Sequence, residues 1–309
     1  MMIGYWAYRS LTFACARLPF AIQYGVAGVL SRLAHALARR AREGVRANLR
    51  TVLGRQADDG EVRRLSRRAF RSFGRYLCEF FGAAGCDGAF FEKKVRIVGR
   101  EHLDAALAQG RGLLFVSGHY SNWELGAFVV GRLGYRILIV AQIHSDPRVN
   151  DLFVRARTVH GVEVAPTAKG ARAALRALRD NRPVAMLGDR PTGGPTVEVT
   201  LCGEKTRFPQ GPWRLAIDTG APLLPTFMRR EADGSYVLSI GAPLRCEGPG
   251  REERMSALAQ AFARALEERL REDPAQWAAF SPVWTCDRRE GAAAADSPCA
   301  CARPAEAHS

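Results

Sequence analysis

The chain has 309 residues, 47% of them hydrophobic and 25% charged, a globular composition that excludes collagen-like and low-complexity architectures. That length holds one α/β domain of ordinary size together with a helical extension. The net charge of +14, almost all of it arginine, calls for an acidic counterpart: nucleic acid, anionic lipid or an acidic carrier protein. No C2H2 spacing, RNP-like aromatic motif or separate basic tail accompanies the charge, so nucleic acid is not the expected partner. Eight cysteines are scattered through the chain and only Cys299 and Cys301 lie close together, which is neither a disulfide framework nor a zinc-ribbon spacing. No metal is expected.

Residues 1–92 read as helices throughout. The stretch "LPFAIQYGVAGVLS", 18–31, is uncharged for 14 residues, short of the ~20 needed to span hydrocarbon, and no small-residue cleavage site follows it. With "ARRAREGVRANLRTVLGR" behind it, it reads as a helix lying in a membrane interface with arginines for anionic headgroups. The competing reading is the core helix of a soluble helical subdomain. Helical spacing continues in Val45, Leu49, Val52 and Leu53, then in Val62, Leu65, Ala69, Phe73, Leu77, Phe80 and Phe81.

From residue 95 short apolar runs alternate with amphipathic segments: "VRIV", "GLLFVS", "RILIVA", "VEVA", "PVAMLG", "VEVTL", "PLLPTF" and "YVLSI". Helices are predicted between them around 101–109, 122–133, 147–159, 168–180 and 212–219. This grammar predicts an α/β fold with a central mixed, largely parallel sheet flanked by helices. A hairpin near 196–208, joined by "CGEK", is expected to be inserted in that sheet. Met255, Leu258, Phe262, Leu266 and Leu270 mark a closing amphipathic helix. The predicted domains are thus a helical, membrane-associating region (1–92), an α/β domain (93–287) and a tail (288–309) too poor in large apolar residues to order itself.

In "VSGHYSNWELGAF", 116–128, His119 follows an apolar strand, at the carboxyl end where open α/β sheets place ligands. Ser121 is predicted to cap the next helix, and Ser121-Asn-Trp-Glu124 has the S-x-x-E form of a capping box, so a capping role competes with a chemical one for Glu124. The chemical alternative is that Glu124 accepts from one imidazole nitrogen and leaves the other free to take a proton from a hydroxyl. No G-x-S-x-G elbow, P-loop or G-x-G-x-x-G motif is present.

"SGHYSNWELGA" resembles the H-x4-D/E block of the bacterial lipid A biosynthesis acyltransferase family, which includes the lauroyl and myristoyl transferases and the related phosphatidylinositol mannoside acyltransferases. "RANLRTVLG" (46–54), "PVAMLGDRP" (183–191), "VEVTLCGEKTRFPQGPWRLAIDTGAPLLPTF" (197–227) and "DPAQWAAFSPVW" (273–284) resemble further blocks of the family, in order. The resemblance implies a glycerolipid-acyltransferase-like fold and a ternary-complex transfer from an acyl-thioester, acyl carrier protein or acyl-CoA, to a hydroxyl of an anionic membrane glycolipid. It needs no other cofactor and sits at the cytoplasmic face of the inner membrane. By the same resemblance His119 is the general base and Glu124 orients it. A functional arginine is Arg155 or Arg157, with Arg155 favoured on spacing. Asp189, beside Arg190, is a site position on the sheet edge that carries His119. Glu198 lines the acceptor site, and Arg207 with the helix start at Gly211 faces a phosphate. An acceptor other than a lipid A precursor, such as a phosphatidylinositol mannoside or a lysophospholipid, and a lipid-binding protein without activity are the alternatives.

Overall fold

The computed structural model describes residues 2–284 apart from 55, 87, 143 and 192, so Cys286, Cys299, Cys301 and the tail 288–309 lie outside the described residues. The chain opens with helices α1 (Met2–Arg17), α2 (Phe20–Leu37), α3 (Arg39–Leu53), α4 (Asp59–Phe81) and α5 (Gly88–Lys94). There follow β1 (Val95–Val98), α6 (Arg100–Leu107), β2 (Leu113–Ser117), α7 (Trp123–Arg132), β3 (Leu138–Ala141), α8 (Pro147–Thr158), β4 (Glu163–Pro166), α9 (Thr167–Arg179) and β5 (Pro183–Leu187). The last elements are β6 (Thr196–Leu201), β7 (Glu204–Pro209), α10 (Gly211–Thr219), β8 (Leu223–Arg230), β9 (Tyr236–Ile240) and α11 (Arg251–Glu272).

Local chemistry sets many of these boundaries. Pro19 separates α1 from α2, because a proline disfavours helical backbone in the residue before it. Asp58 starts α4 by accepting from the Glu61 amide at 2.7 Å, and Asp146 caps α8 ahead of Pro147 in the first turn.

Among the described residues seven strands form the main sheet in the order β1-β9-β8-β2-β5-β3-β4, parallel except at the β8–β9 pair. The α/β architecture is therefore the predicted one. The β6–β7 hairpin departs from expectation: it is a separate two-stranded antiparallel sheet with its inner residues Val197, Val199, Leu201 and Phe208 packed toward α11. It turns at Cys202 and Gly203, both at positive φ, so a two-residue turn closes it without disturbing the parallel order.

Alternate residues of β2 enter opposite cores, which explains the continuous apolar run "LLFV". Leu113 and Phe115 join Leu125 and Phe128 of α7, while Leu114 and Val116 join Phe262 and Leu266 of α11. A third core, built from Val45, Leu49, Val62, Leu65 and Phe70, fastens α3 and α4 to Ala275, Ala278 and Phe280 near the end of the described chain.

Helix α2 is inverted relative to a core helix. Its buried residues are Gln23, Ala27 and Ser31, whereas Ile22, Val26, Val29, Leu30, Leu33 and Leu37 are exposed. Among the described residues, no helix is long and apolar enough to cross a membrane.

Candidate active site

The register of β2 and β5 creates the site. Ser117 pairs with Leu187, the Gly188 amide donates to the Ser117 carbonyl at 2.8 Å, and His119 and Asp189 each lie two residues past that pair. The glycine preceding Asp189 is needed for the approach: a Cβ on Gly188 would sit 2.8 Å from Val116 and 3.0 Å from Trp213.

Asp189 is fully buried. Its Oδ1 lies 2.7 Å from His119 Nδ1, and its Oδ2 accepts from the His119 amide at 2.9 Å and from Trp277 Nε1 at 2.9 Å. An ionised carboxylate only accepts, so Nδ1 carries the hydrogen and donates it to Asp189. Nε2 is then the basic nitrogen. It has no hydrogen-bond partner among the described residues, and the ring, 19% exposed, lines an open groove.

Arg190 Nε lies 3.2 Å from the same Nδ1. Since that nitrogen's one hydrogen belongs to Asp189, the guanidinium acts there as a neighbouring positive charge. Burial lowers the imidazole pKa below its ordinary value and Arg190 lowers it further, with Asp189 pulling the other way but losing, so the ring is neutral at pH 7. Burial would raise Asp189, but the His119 ring and its hydrogen bond, then Arg190 and Trp277, outweigh it and hold the carboxyl well below the usual range.

Glu124 is not the orienting residue predicted from the sequence. It is buried and accepts from Arg157, Nη2 at 2.7 Å and Nε at 3.1 and 3.2 Å, and no hydrogen bond joins it to His119 among the described residues. The capping box is also absent. Asn122 is the cap, its Oδ1 accepting from the Leu125 amide at 3.0 Å, while Ser121 sits at φ 54° with its hydroxyl unpartnered. In the first turn of α7, Glu124 meets the planar guanidinium of Arg157 on α8.

Of the two candidate arginines on α8, Arg157 lines the groove, whereas Arg155, favoured on spacing, is exposed and does not. Two residues further along α8, Arg157 leaves 12% of its side chain exposed and lies over the rings of Phe80 and Phe153, 5.4 and 5.8 Å from their centroids. Glu198 and Arg207 border the same groove on the hairpin. Glu198 is half exposed and paired with Lys205 at 2.7 Å, while Arg207 is exposed. Neither bonds to His119. The α10 N-terminus at Gly211 also borders the groove.

Trp277 escaped the sequence reading as a site residue, although the proline and tryptophan of "DPAQW" were in view. Its segment is laced to the loop that carries His119: the Ser121 amide donates to the Gln276 carbonyl at 2.7 Å and the Ala278 amide to the His119 carbonyl at 2.8 Å. Trp123 supports the other side of the ring, edge-on to His119 at 5.0 Å and stacked on Tyr76 at 4.3 Å.

Behind this loop lies a buried polar network that the sequence did not reveal. Glu79 of α4 accepts from Asn122 at 2.7 Å, from Tyr24 of α2 at 2.9 Å and from Arg230 at 2.7 and 2.8 Å, and Tyr236 bonds to it as well. The groove itself has a volume of about 3460 Å³. Phe115, Ala127, Val130, Ile139, Met228 and Leu238 line its apolar part, and His119, Glu124, Arg157 and Arg190 its polar part. A neutral, oriented imidazole beside a long apolar space can deprotonate a hydroxyl and accommodate an aliphatic group.

The sequence model of the bacterial lipid A biosynthesis acyltransferases matches residues 1–285. The chain is 31% identical to a phosphatidylinositol mannoside acyltransferase of Mycobacterium tuberculosis over 92% of its own length and 90% of the relative's. A protein of the same description from Mycolicibacterium smegmatis is 30% identical over 87% and 88% of the two chains. The lipid A biosynthesis lauroyltransferase of Escherichia coli is 26% identical over 79% of each. The chain belongs to the bacterial lipid A biosynthesis acyltransferase family. It is an O-acyltransferase.

Proposed function

We propose that this O-acyltransferase moves a fatty acyl chain from an acyl-thioester, carried by acyl carrier protein, to a hydroxyl of a membrane glycolipid, with His119 as general base. The observation that carries the reading is the His119–Asp189 contact at 2.7 Å, made through Nδ1 by a ring that lines the groove. The acceptor O–H gives its proton to Nε2 as its oxygen attacks the thioester carbonyl. The new C–O bond forms, the C–S bond breaks, and the imidazolium returns the proton to the departing thiolate, leaving an ester and a thiol. Asp189 stabilises the transient imidazolium and keeps Nδ1 protonated. Arg190 and Arg157 are the cationic groups that line the groove nearest this chemistry, and the apolar part of the groove suits the acyl chain.

Phosphatidylinositol mannoside and lipid A precursor, the acceptors named by the relatives, both offer hydroxyls beside anionic groups, as an arginine-rich protein requires. Peripheral attachment to the cytoplasmic face of the inner membrane through α1 and α2 goes with this reading. Among the described residues, nine of the eleven large hydrophobic side chains left exposed lie between Trp6 and Leu37. So large an apolar surface on a folded chain marks an interaction face. The test is purified protein with an acyl-thioester and candidate glycolipids, followed by mass spectrometry of the lipid. Acylated product from the wild type and none from folded His119→Ala is the expected result; equal turnover by the two rejects His119 as the base.

A further inference from the structure

A thioester carbonyl under attack gathers negative charge on its oxygen, and a site lowers the barrier by holding that oxygen with hydrogen-bond donors already in place. The amides closest to the His119 ring are spent. The His119 amide donates to Asp189 at 2.9 Å, the Tyr120 amide to the Gly118 carbonyl at 2.7 Å and the Ser121 amide to the Gln276 carbonyl at 2.7 Å. Trp277 Nε1 is taken by Asp189 as well.

Two arginines line the groove nearest this chemistry, and they differ in what they hold. Arg157 gives its Nη2 and Nε to Glu124. Arg190 follows Asp189 past the end of β5, is part-buried, and brings its Nε within 3.2 Å of His119 Nδ1. That nitrogen gives its hydrogen to Asp189 and accepts nothing, so among the described residues the Arg190 guanidinium has no acceptor of its own. Asp189 already receives three N–H groups and feels Arg190 through its charge. The result is a planar fork of N–H donors, one hydrogen-bond length from the base and bordering the groove, with no anionic oxygen to hold.

We propose that Arg190 is a catalytic residue of the acyl transfer, the donor that holds the thioester carbonyl oxygen while it is negative. This rests on the transfer chemistry proposed above. The acceptor hydroxyl gives its proton to Nε2 and its oxygen bonds to the carbonyl carbon, so the C=O π pair moves onto the carbonyl oxygen, where the guanidinium meets it. The pair then returns to re-form C=O, the C–S bond breaks with its electrons on sulfur, and the thiolate takes the proton from Nε2. The same positive charge beside Nδ1 opposes a lasting imidazolium, which favours return of the proton to sulfur. Arg157 is left out of this role because Glu124 neutralises it and occupies its Nε and Nη2.

The experiment measures kcat and kcat/KM of the full-length protein across pH, with an acyl-thioester and a glycolipid acceptor, for Arg190→Gln, Arg190→Lys and Arg190→Ala, each checked by circular dichroism melting. Removing one donor to an oxyanion costs about 10²–10³-fold in kcat, and Arg190→Gln should lose that much in kcat and kcat/KM alike, the mark of a contact made only in the transition state. Because the Arg190 charge lowers the imidazole pKa, the acid limb of the kcat/KM profile should also move to higher pH in Arg190→Gln. Arg190→Lys keeps the charge and should keep the wild-type limb, and added guanidinium ion should restore turnover to Arg190→Ala but not to His119→Ala. A folded Arg190→Gln within about tenfold of the wild-type kcat hands the oxygen to the first-turn amides of α7 and overturns the assignment. A raised KM with kcat unchanged overturns it too, since Arg190 then binds a substrate phosphate in the ground state. A wild type that transfers no acyl group from any thioester removes the transfer reading itself, a result distinct from a loss confined to the variants.

Discussion

Replacing Asp189 by asparagine changes one atom in the site and should reverse the tautomer of His119. The carboxylate receives three N–H groups, one at Oδ1 and two at Oδ2. An amide has a single acceptor oxygen, and it satisfies more donors by facing the His119 amide and Trp277 Nε1. Its NH2 then points at His119 Nδ1, which must accept, so the ring hydrogen moves to Nε2 and the base is lost. The opposite amide orientation sets NH2 against two buried donors, each unsatisfied group costing ~1–3 kcal/mol, so the tautomer-reversing orientation is the cheaper one. The same exchange in serine-protease triads lowers kcat about 10⁴-fold, equivalent to ~5.4 kcal/mol in the barrier, and a loss of that order is expected here.

The assay is thiol release from an acyl-thioester in the presence of glycolipid acceptor, with circular dichroism melting in parallel. Asp189→Asn keeping kcat within about tenfold of wild type, while folded, would refute the tautomer argument. The pH dependence checks the same assignment. Because the imidazole pKa is lowered, wild-type kcat/KM should rise with an apparent pKa below the ordinary histidine value and be level through neutral pH. Asp189 has a depressed pKa in the fold, so the stability it contributes is complete above its unfolded value, ~3.9, and is lost as pH falls toward the folded one.

Three other outcomes follow from the packing. Glu124→Gln leaves the Arg157 charge, 12% exposed, without its partner and should destabilise the fold by ~3–5 kcal/mol, yet reduce kcat less than Asp189→Asn; an equal loss of kcat in folded protein would restore Glu124 as the residue orienting the ring. Glu79→Gln breaks the buried pair with Arg230 and loosens Asn122, the cap of α7, so thermal melting should show a loss of ~3–5 kcal/mol, whereas an unchanged melting temperature would remove the network from the account of the loop. Gly126→Leu adds four carbons on the face of α7 that lines the groove, where a Cβ already meets Leu238 at 3.4 Å. It should shift the preferred acyl chain toward shorter donors in a chain-length series, and an unaltered preference would place the acyl chain elsewhere.

The elements of the fold were legible because they depend on neighbours in sequence. The continuous run "LLFV" announced a strand buried on both faces, and the predicted helices at 147–159 and 212–219 form as α8 and α10 within two residues of those bounds. Even the odd position of α2 was visible as an uncharged stretch flanked by arginines. Its inversion needed the partner helix: a Cβ on Gly74 of α4 would lie 2.4 Å from Ser31 Oγ and 3.6 Å from the Ala27 Cβ, so small side chains face α4 there, while buried Gln23 donates to the Cys15 and Leu18 carbonyls.

The residues themselves also singled out His119, since a polar group just past a buried strand stands where parallel sheets bind ligands. Which carboxylate reaches it was settled by tertiary structure alone. Sequence proximity favoured Glu124, five residues away, but the turn into α7 carries that side chain to Arg157, whereas strand register sets Asp189, 70 residues along, against the ring. The same holds for Trp277, whose indole reaches Asp189 from 88 residues away. Spacing in sequence measures distance only within one helix or strand; between elements, distance is decided by hydrogen-bonded register and by the layers that pack.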